Sequence, residues 1–152
     1  MRTKDRFKRA YRLDEKIDSD IRELEQVRSM LFNVSAAYGA ERVQTSMKGD
    51  KIPNCIARIE ELEQLIDREI DTFVDLKTQI RNEIESLDNP DENILMRYRY
   101  IEMMSWNDIQ TKMGFEDGIE GKEQMFKVHG RALKKLDRAY NATMVNDSIK
   151  KQ

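Results

Sequence analysis

The sequence predicts an all-α protein, with a long antiparallel helical hairpin over residues 1–88 and a small helix-turn-helix domain over residues 89–152. Composition is the first observation behind this prediction. Charged residues make up 37% of the chain and hydrophobic residues 39%, while only two prolines and six glycines interrupt it. Such a composition is typical of helices with solvated outer faces. Aromatic residues make up 7%, so we expect narrow aliphatic seams between helices rather than one large core.

Heptad spacing is the second observation, and it predicts a first helix over residues 4–38. Apolar residues repeat there every seven positions, at Ala10, Ile17, Leu24, Leu31 and Tyr38. Charged residues occupy the other faces, as in a coiled coil. The segment 39–54 shows no sustained period and contains glycines and a proline, so we interpret it as a connection.

A second heptad pattern predicts a helix over residues 54–87. Its apolar positions are Ile59, Ile66, Phe73, Ile80 and Leu87, with Leu62, Ile70, Leu76 and Ile84 as companions. Two helices of similar length joined by a moderate loop bury their seams most simply as an antiparallel hairpin. A two-helix hairpin has a thin core, so we expect it to self-associate or to dock on another protein.

The final third of the chain predicts shorter helices after a breaker at Asp88-Asn89-Pro90. We expect helices over residues 91–103, 106–113 and 122–140, with Ser105 as the N-cap of the second. The third helix would bury Met125, Val128, Ala132, Leu133 and Leu136. The tail after residue 140 is expected to fray.

Charge is distributed unevenly, although the formal net charge is only −2. Residues 1–12 carry six basic side chains against Asp5, and residues 122–138 carry six against two acidic ones. Blocks of this kind matter when the partner is a polyanion. The basic start of the chain is open to two interpretations, a second DNA contact or a solvated helix start. Arg97 and Arg99 likewise either contact DNA or face solvent.

A short helix, a glycine turn and a basic amphipathic helix are the parts of a helix-turn-helix. With the apolar side of the third helix buried, several hydrogen-bond donors remain on its outer face. A helix that enters the major groove of DNA needs such donors.

The residues that form this motif resemble a known family. ILMRYRYIEMMSWNDIQTKMGF followed by VHGRALKKL looks like region four of bacterial sigma factors. It is more similar still to the small sigma-like regulators of phages and prophages of Gram-positive bacteria. The upstream segment AAYGAERVQTSMKGD also resembles that phage family, so the resemblance covers most of the chain.

The resemblance implies a transcription regulator that binds promoter or operator DNA in the cytoplasm of a bacterial host, on the nucleoid, with RNA polymerase as a candidate partner. The reading positions would be Lys122, Glu123, Phe126 and Lys127, and the phosphate contacts would be Arg131, Lys134 and Lys135. Glu123 can accept a hydrogen bond from a cytosine amino group, and Phe126 can contact a thymine methyl group. Gln124 would reach adenine instead if the helix is rotated.

The turn departs from the sigma pattern. About five residues, Glu116–Glu120, intervene before the reading helix, and three of them are acidic. Acidic side chains beside a phosphate backbone oppose binding unless they point away or contact a protein partner. We interpret GIEG within this segment as a flexible turn, because it lacks the Lys-Ser/Thr of a phosphate loop.

The sequence favours neither an enzyme nor a metal or cofactor site. His129 has no Ser, Cys or paired carboxylate placed to work with it, so we expect a structural role for it. The single cysteine cannot form an internal disulfide, and no stretch is apolar enough to span a membrane. The alternative to DNA regulation is a phage packaging or structural protein in which the motif is only a packing unit.

Overall fold

The structure, a computed structural model, describes residues 2–40 and 50–151, and within these ranges the chain is helical and has no β-strand. The helices are α1 (Thr3–Ala40), α2 (Lys51–Glu85), α3 (Pro90–Tyr100), α4 (Trp106–Lys112) and α5 (Ile119–Lys150). The predicted all-α class with two long N-terminal helices is confirmed. Residues 41–49 of the expected connection lie outside the described residues. Helix α1 continues to Ala40 and α2 already begins at Lys51, so the helices extend into the predicted connection from both sides.

Residues 13–73 form one of two compact units, and in this unit α1 pairs with α2. Its buried hydrophobic cluster consists of Leu24, Leu62 and Ile66. Lys16 forms an ion pair with Glu69, while Arg28, further along α1, pairs at 2.6 Å with Glu63, which lies earlier in α2. Rising numbers in one helix therefore meet falling numbers in the other, so the pair is antiparallel.

The predicted seam of this unit is only partly buried. Ile17, Leu24 and Ile66 are buried, whereas Leu31 is half-buried. Ile70, which we expected in the seam, is 40% exposed, so that assignment is wrong. A pair of helices covers only a narrow stripe on each partner, and Ile70 lies outside it. The side chain of Tyr38 lies outside the described residues.

The second compact unit combines residues 1–12 with residues 74–152. The sequence-based division after residue 88 assigned the start of α1 and the end of α2 to the hairpin instead. The reason for the difference is burial, because Phe7 and Ala10 are fully buried within this unit. Ile80, Ile84 and Leu87 at the end of α2 are buried in it as well.

Side-chain caps set the starts of the two short helices, and of these the sequence predicts the cap at Ser105. Asn89 is the N-cap of α3, its side chain accepts the N–H of Glu92, and Pro90 occupies the first helical position. Ser105 caps α4 by accepting the N–H of Asp108 at 3.1 Å. Side-chain caps of this kind satisfy backbone donors that a helix start leaves open.

Helix α5 is longer than the sequence predicts at both ends. It begins at Ile119 rather than near residue 122, and it continues to Lys150 rather than ending near residue 140. The expectation of a frayed tail is therefore wrong for residues 141–150, although all of them are exposed. The glycines at its start are compatible with a helix, because Gly118 is the N-cap and Gly121 lies within the first turn.

Candidate nucleic-acid interface

An aromatic cluster anchors α5 within the unit formed by residues 1–12 and 74–152. The rings of Phe7 and Tyr100 meet edge to face at 5.1 Å, and the Tyr100 hydroxyl oxygen lies 2.9 Å from Nε2 of His129 in a buried hydrogen bond. The ring centre of Trp106 in α4 lies 4.8 Å from that of His129 and 5.0 Å from that of Phe126, and both contacts are again edge to face. Such pairs add about 0.5–1.5 kcal/mol each to area burial. Four helices are thereby joined through ring contacts, which fixes the rotation of α5.

Arg99 belongs to this cluster and is structural. Its guanidinium carbon lies 4.5 Å from the ring centres of both Tyr11 and Trp106, and Nη1 donates to the carbonyl of Met104 at 2.8 Å. Arg97 is also engaged within the unit, since it forms an ion pair with Glu85. Neither side chain simply faces solvent, since both are half-buried and contact other parts of the protein, and a contact of either with DNA stays a prediction.

Burial controls ionisation in the cluster. It is the main reason why the pKa of His129 falls to about 4, with further lowering by the charges of Lys4 and Arg99. Burial also raises the pKa of Tyr100 to about 12. Both groups are therefore neutral at physiological pH, and their hydrogen bond is one between neutral partners. This arrangement agrees with a structural role for His129.

The turn between α4 and α5 is an organised element built around Gln110. The side-chain amide of this buried residue donates to the carbonyl of Glu116 at 2.5 Å and to that of Gly118 at 3.1 Å. Gly118, the N-cap of α5, has φ 89° and ψ −161°, a conformation essentially restricted to glycine. At Gly121 a Cβ atom would lie 1.7 Å from the carbonyl oxygen of Glu116. The interpretation of GIEG as a flexible turn is therefore wrong, because each of the two glycines permits a specific backbone arrangement.

Acidic side chains of this turn are exposed. Glu116, Asp117 and Glu120 all face solvent, and Glu120 lies in the first turn of α5. Negative charge near the start of a helix interacts favourably with the helix dipole, by about 0.3–1 kcal/mol. These residues consequently stabilise the start of α5, although they add negative charge to the end of the helix that is expected to approach DNA.

The side chains predicted to bind DNA lie on the outer side of α5, opposite the buried Met125, Val128, Ala132 and Leu136. The exposed members of the predicted set are Glu123, Gln124, Phe126, Lys127, Arg131, Lys134 and Lys135. Lys122 is half-buried. We call this set, without Lys122, the outer face of α5.

Two of the predicted phosphate contacts also have a partner within the protein. Glu92 of α3 is only 2% exposed, and its carboxylate lies 2.7 Å from Nζ of Lys135 and 3.6 Å from Nε of Arg131. A buried carboxylate requires such compensation, because leaving it without a cation is costly. The negative charge of Glu92 therefore offsets part of the positive charge of Arg131 and Lys135, which lie on the side of the outer face next to α3. Lys127 and Lys134 form no ion pair within the described part of the chain.

The opposite edge of α5 meets the start of α1, a contact that sequence patterns did not reveal. The backbone N–H of Thr3 donates to Oδ1 of Asp137 at 2.7 Å, and the hydrogen bonds from Thr3 lower the pKa of that carboxyl group. The guanidinium of Arg6 lies 3.8 Å from the ring centre of Tyr140. Heptad spacing assigns the start of α1 to the hairpin seam. The sequence signal for this second packing surface is Phe7, an apolar residue outside the heptad positions.

The described residues contain neither a metal-binding cluster nor a membrane-spanning helix. Across residues 2–40 and 50–151, no group of three or more His, Cys, Asp or Glu side chains is arranged to hold a metal ion. None of the helices in the same ranges combines the length and the apolar character that a membrane span requires.

No protein-family model, curated protein or solved structure matches this chain. The resemblance to sigma region four stays a prediction.

Proposed function

We propose that this protein binds double-stranded DNA through the outer face of α5 and regulates transcription as phage-type sigma-like regulators do. The observation that carries the proposal is the outer face itself. Lys127 and Lys134 project from it without ion pairs in the described ranges, while the inner face is held by the aromatic cluster. These two lysines are seven residues apart, so they lie on the same side of the helix, about 10 Å apart along its axis.

Base recognition would come from the first turns of the outer face. Glu123, Gln124 and Phe126 are exposed there, and they provide an acceptor, an amide and an apolar edge respectively. A carboxylate suits the cytosine amino group, an amide suits adenine, and an aromatic edge suits the thymine methyl group. Phe126 is 43% exposed and braced by Trp106, so its ring is held in a defined orientation for such a contact.

Lys127 would contact a base edge, and the main phosphate contact would come from Lys134. Arg131 and Lys135 are 60% and 52% exposed at the side chain, so both can still approach a phosphate. However, each shares its charge with Glu92, and this reduces the free energy that either gains at DNA. The acidic turn lies at the start of the helix and would limit how closely that end approaches the backbone, and the half-buried Lys122 would offset only part of its negative charge.

The paired helices of residues 13–73 would supply the protein contact of the regulator. Exposed apolar side chains in this unit include Met30, Phe32 and Ile56. Exposed apolar side chains of this size are suited to burial against a protein partner. We include self-association and docking on RNA polymerase in the proposal as the two functions of this unit.

Selection from a random-sequence duplex library tests DNA recognition directly. We expect enrichment of a short motif by the parent protein. Lys127→Ala should weaken binding and change the preferred base at one or two positions, whereas Lys134→Ala should weaken all sequences alike and flatten the salt dependence. Absence of duplex binding by the parent, even at low salt, would contradict the proposal.

Native mass distinguishes the alternative. A monomer or dimer with a specific footprint supports regulation, whereas a ring of many copies with no sequence preference supports a packaging or structural protein.

Lys135→Ala is not a suitable test of phosphate contacts, because it also removes the closest cation from the buried Glu92.

A further inference from the structure

The start of α1 carries exposed cations next to α5. The basic side chains of its first turns that face solvent are Arg2, Lys4, Lys8, Arg9 and Arg12. One acidic residue, Asp5, is exposed among them. This segment belongs to the same compact unit as the outer face of α5, although more than a hundred residues separate the two in the sequence.

The position of these cations is fixed by contacts on the buried side of α1. Thr3 is hydrogen-bonded to Asp137 of α5 at 2.7 Å, and Phe7 is fully buried against Tyr100. Arg6 bridges the same elements, since its guanidinium lies over the Tyr140 ring. Side chains four residues apart on a helix point the same way, so Lys4 and Lys8 share one flank, about 6 Å apart along the axis.

The cations at the start of α1 differ in how much charge they can offer a partner. Arg6 is neutralised by a two-bond ion pair, in which its Nη1 and Nη2 donate to Glu83 at 2.5 and 2.8 Å. In contrast, the side chains of Lys4 and Lys8 form no ion pair or hydrogen bond within residues 2–40 and 50–151. The charge of Lys4 is also close enough to α5 to act on buried His129.

We propose that Lys4 and Lys8 form a second contact to the phosphate backbone of duplex DNA, continuous with Lys127 and Lys134 on α5. This inference rests on the proposed function and changes where its phosphate contacts lie. The DNA-binding surface would extend from α5 towards α1, where the cations are unpaired, rather than towards α3, where Glu92 holds Arg131 and Lys135.

Charge complementarity favours duplex DNA as the occupant. The duplex presents about one negative charge per 1.7 Å of axis, so a partner gains from several cations spread over two helices. Five exposed cations at the start of α1 outnumber the one exposed carboxylate among them, that of Asp5, and the carboxylate of Asp137 on α5 accepts the backbone N–H of Thr3. Such an excess of exposed cations suits a phosphate backbone.

The test is the salt dependence of DNA binding by the full chain. The double variant Lys4→Gln/Lys8→Gln is compared with the parent on one labelled duplex by fluorescence anisotropy, between about 50 and 200 mM salt. Each lost phosphate contact lowers the slope of log K against log salt by about 0.9, so we expect a decrease of about 1.8. Hydroxyl-radical footprinting should also show loss of protection outside the groove that α5 occupies.

The matched control is Arg22→Gln/Arg68→Gln, which removes two exposed cations from the unit of residues 13–73. It changes the net charge equally, and its salt slope should equal that of the parent. If both double variants lower the slope alike, or if Lys4→Gln/Lys8→Gln keeps the parental slope, the α1 contact is refuted while DNA binding stands. If the parent itself does not bind duplex DNA, the proposed function fails instead.

Discussion

Substitution of Gly121 by alanine should disrupt the turn between α4 and α5. The new Cβ would lie 1.7 Å from the carbonyl oxygen of Glu116, whereas real Cβ contacts stay beyond 3.0 Å. The turn must therefore move by more than 1 Å, and this movement pulls Glu116 away from the Gln110 amide that binds it. Overpacking of this kind costs about 1–3 kcal/mol, and a lost buried hydrogen bond adds about 1 kcal/mol.

Gly130 provides the matched control, because it lies in the same helix and a Cβ there would meet nothing within 4 Å. Alanine at a helix-interior glycine stabilises by about 0.5–1 kcal/mol. We therefore expect Gly121→Ala to lower the free energy of unfolding by about 2–4 kcal/mol and Gly130→Ala to raise it. Urea unfolding followed by fluorescence of Trp106, the only tryptophan, reports on this unit. If Gly121→Ala unfolds within about 0.5 kcal/mol of the parent, the reasoning about the turn is wrong.

Three further predictions concern the unit that contains α5. The pKa of His129 is about 4 in the folded protein and near 6.5 in the unfolded chain, so the unfolded chain binds the proton first as pH falls. Neutral His129 therefore contributes up to about 3 kcal/mol to the free energy of unfolding above pH 6.5, and this contribution is lost as pH falls towards 4. If the stabilities of the parent and of His129→Phe change equally over this pH range, the prediction is wrong. Lys135→Ala should lower the free energy of unfolding by about 1–2 kcal/mol, because Glu92 stays buried with a weaker partner, while Lys134→Ala should leave it within about 0.5 kcal/mol in urea titrations. Phe7→Ala should cost about 3–5 kcal/mol in the tryptophan-monitored transition, whereas the sequence-based division predicts no effect on that probe.

Local patterns in the sequence predict helices well because their signals are short-range. The Asn89-Pro90 start of α3 and the Ser105 cap of α4 depend on neighbours within three residues, and both are found as expected. The buried face of α5, with Met125 and Leu136, follows from helical spacing in the same way. Such signals require no knowledge of which elements meet.

Contacts between distant residues were harder to predict. No local signal says that Glu92 is buried and that it holds two cations of α5, because burial depends on how α3 packs. The contact of Thr3 with Asp137 cannot be predicted from heptad spacing either, because the spacing shows only that α1 is amphipathic. The glycines of the GIEG segment are equally ambiguous in the sequence, because glycine occurs both in flexible turns and in turns with a fixed backbone conformation. The hydrogen bonds from Gln110 show that this turn is of the second kind.

The hydrogen bond between Thr3 and Asp137 joins residues 134 positions apart, and this separation has a consequence for synthesis on the ribosome. Chains grow at about 5–20 residues per second, so roughly 7–27 seconds pass between production of these two residues. Phe7 cannot reach its native pocket during that interval, because much of the pocket has not yet been made. The pairing of α1 with α2 over residues 13–73 can form earlier. We therefore expect the unit that contains α5 to be completed last, at the end of translation.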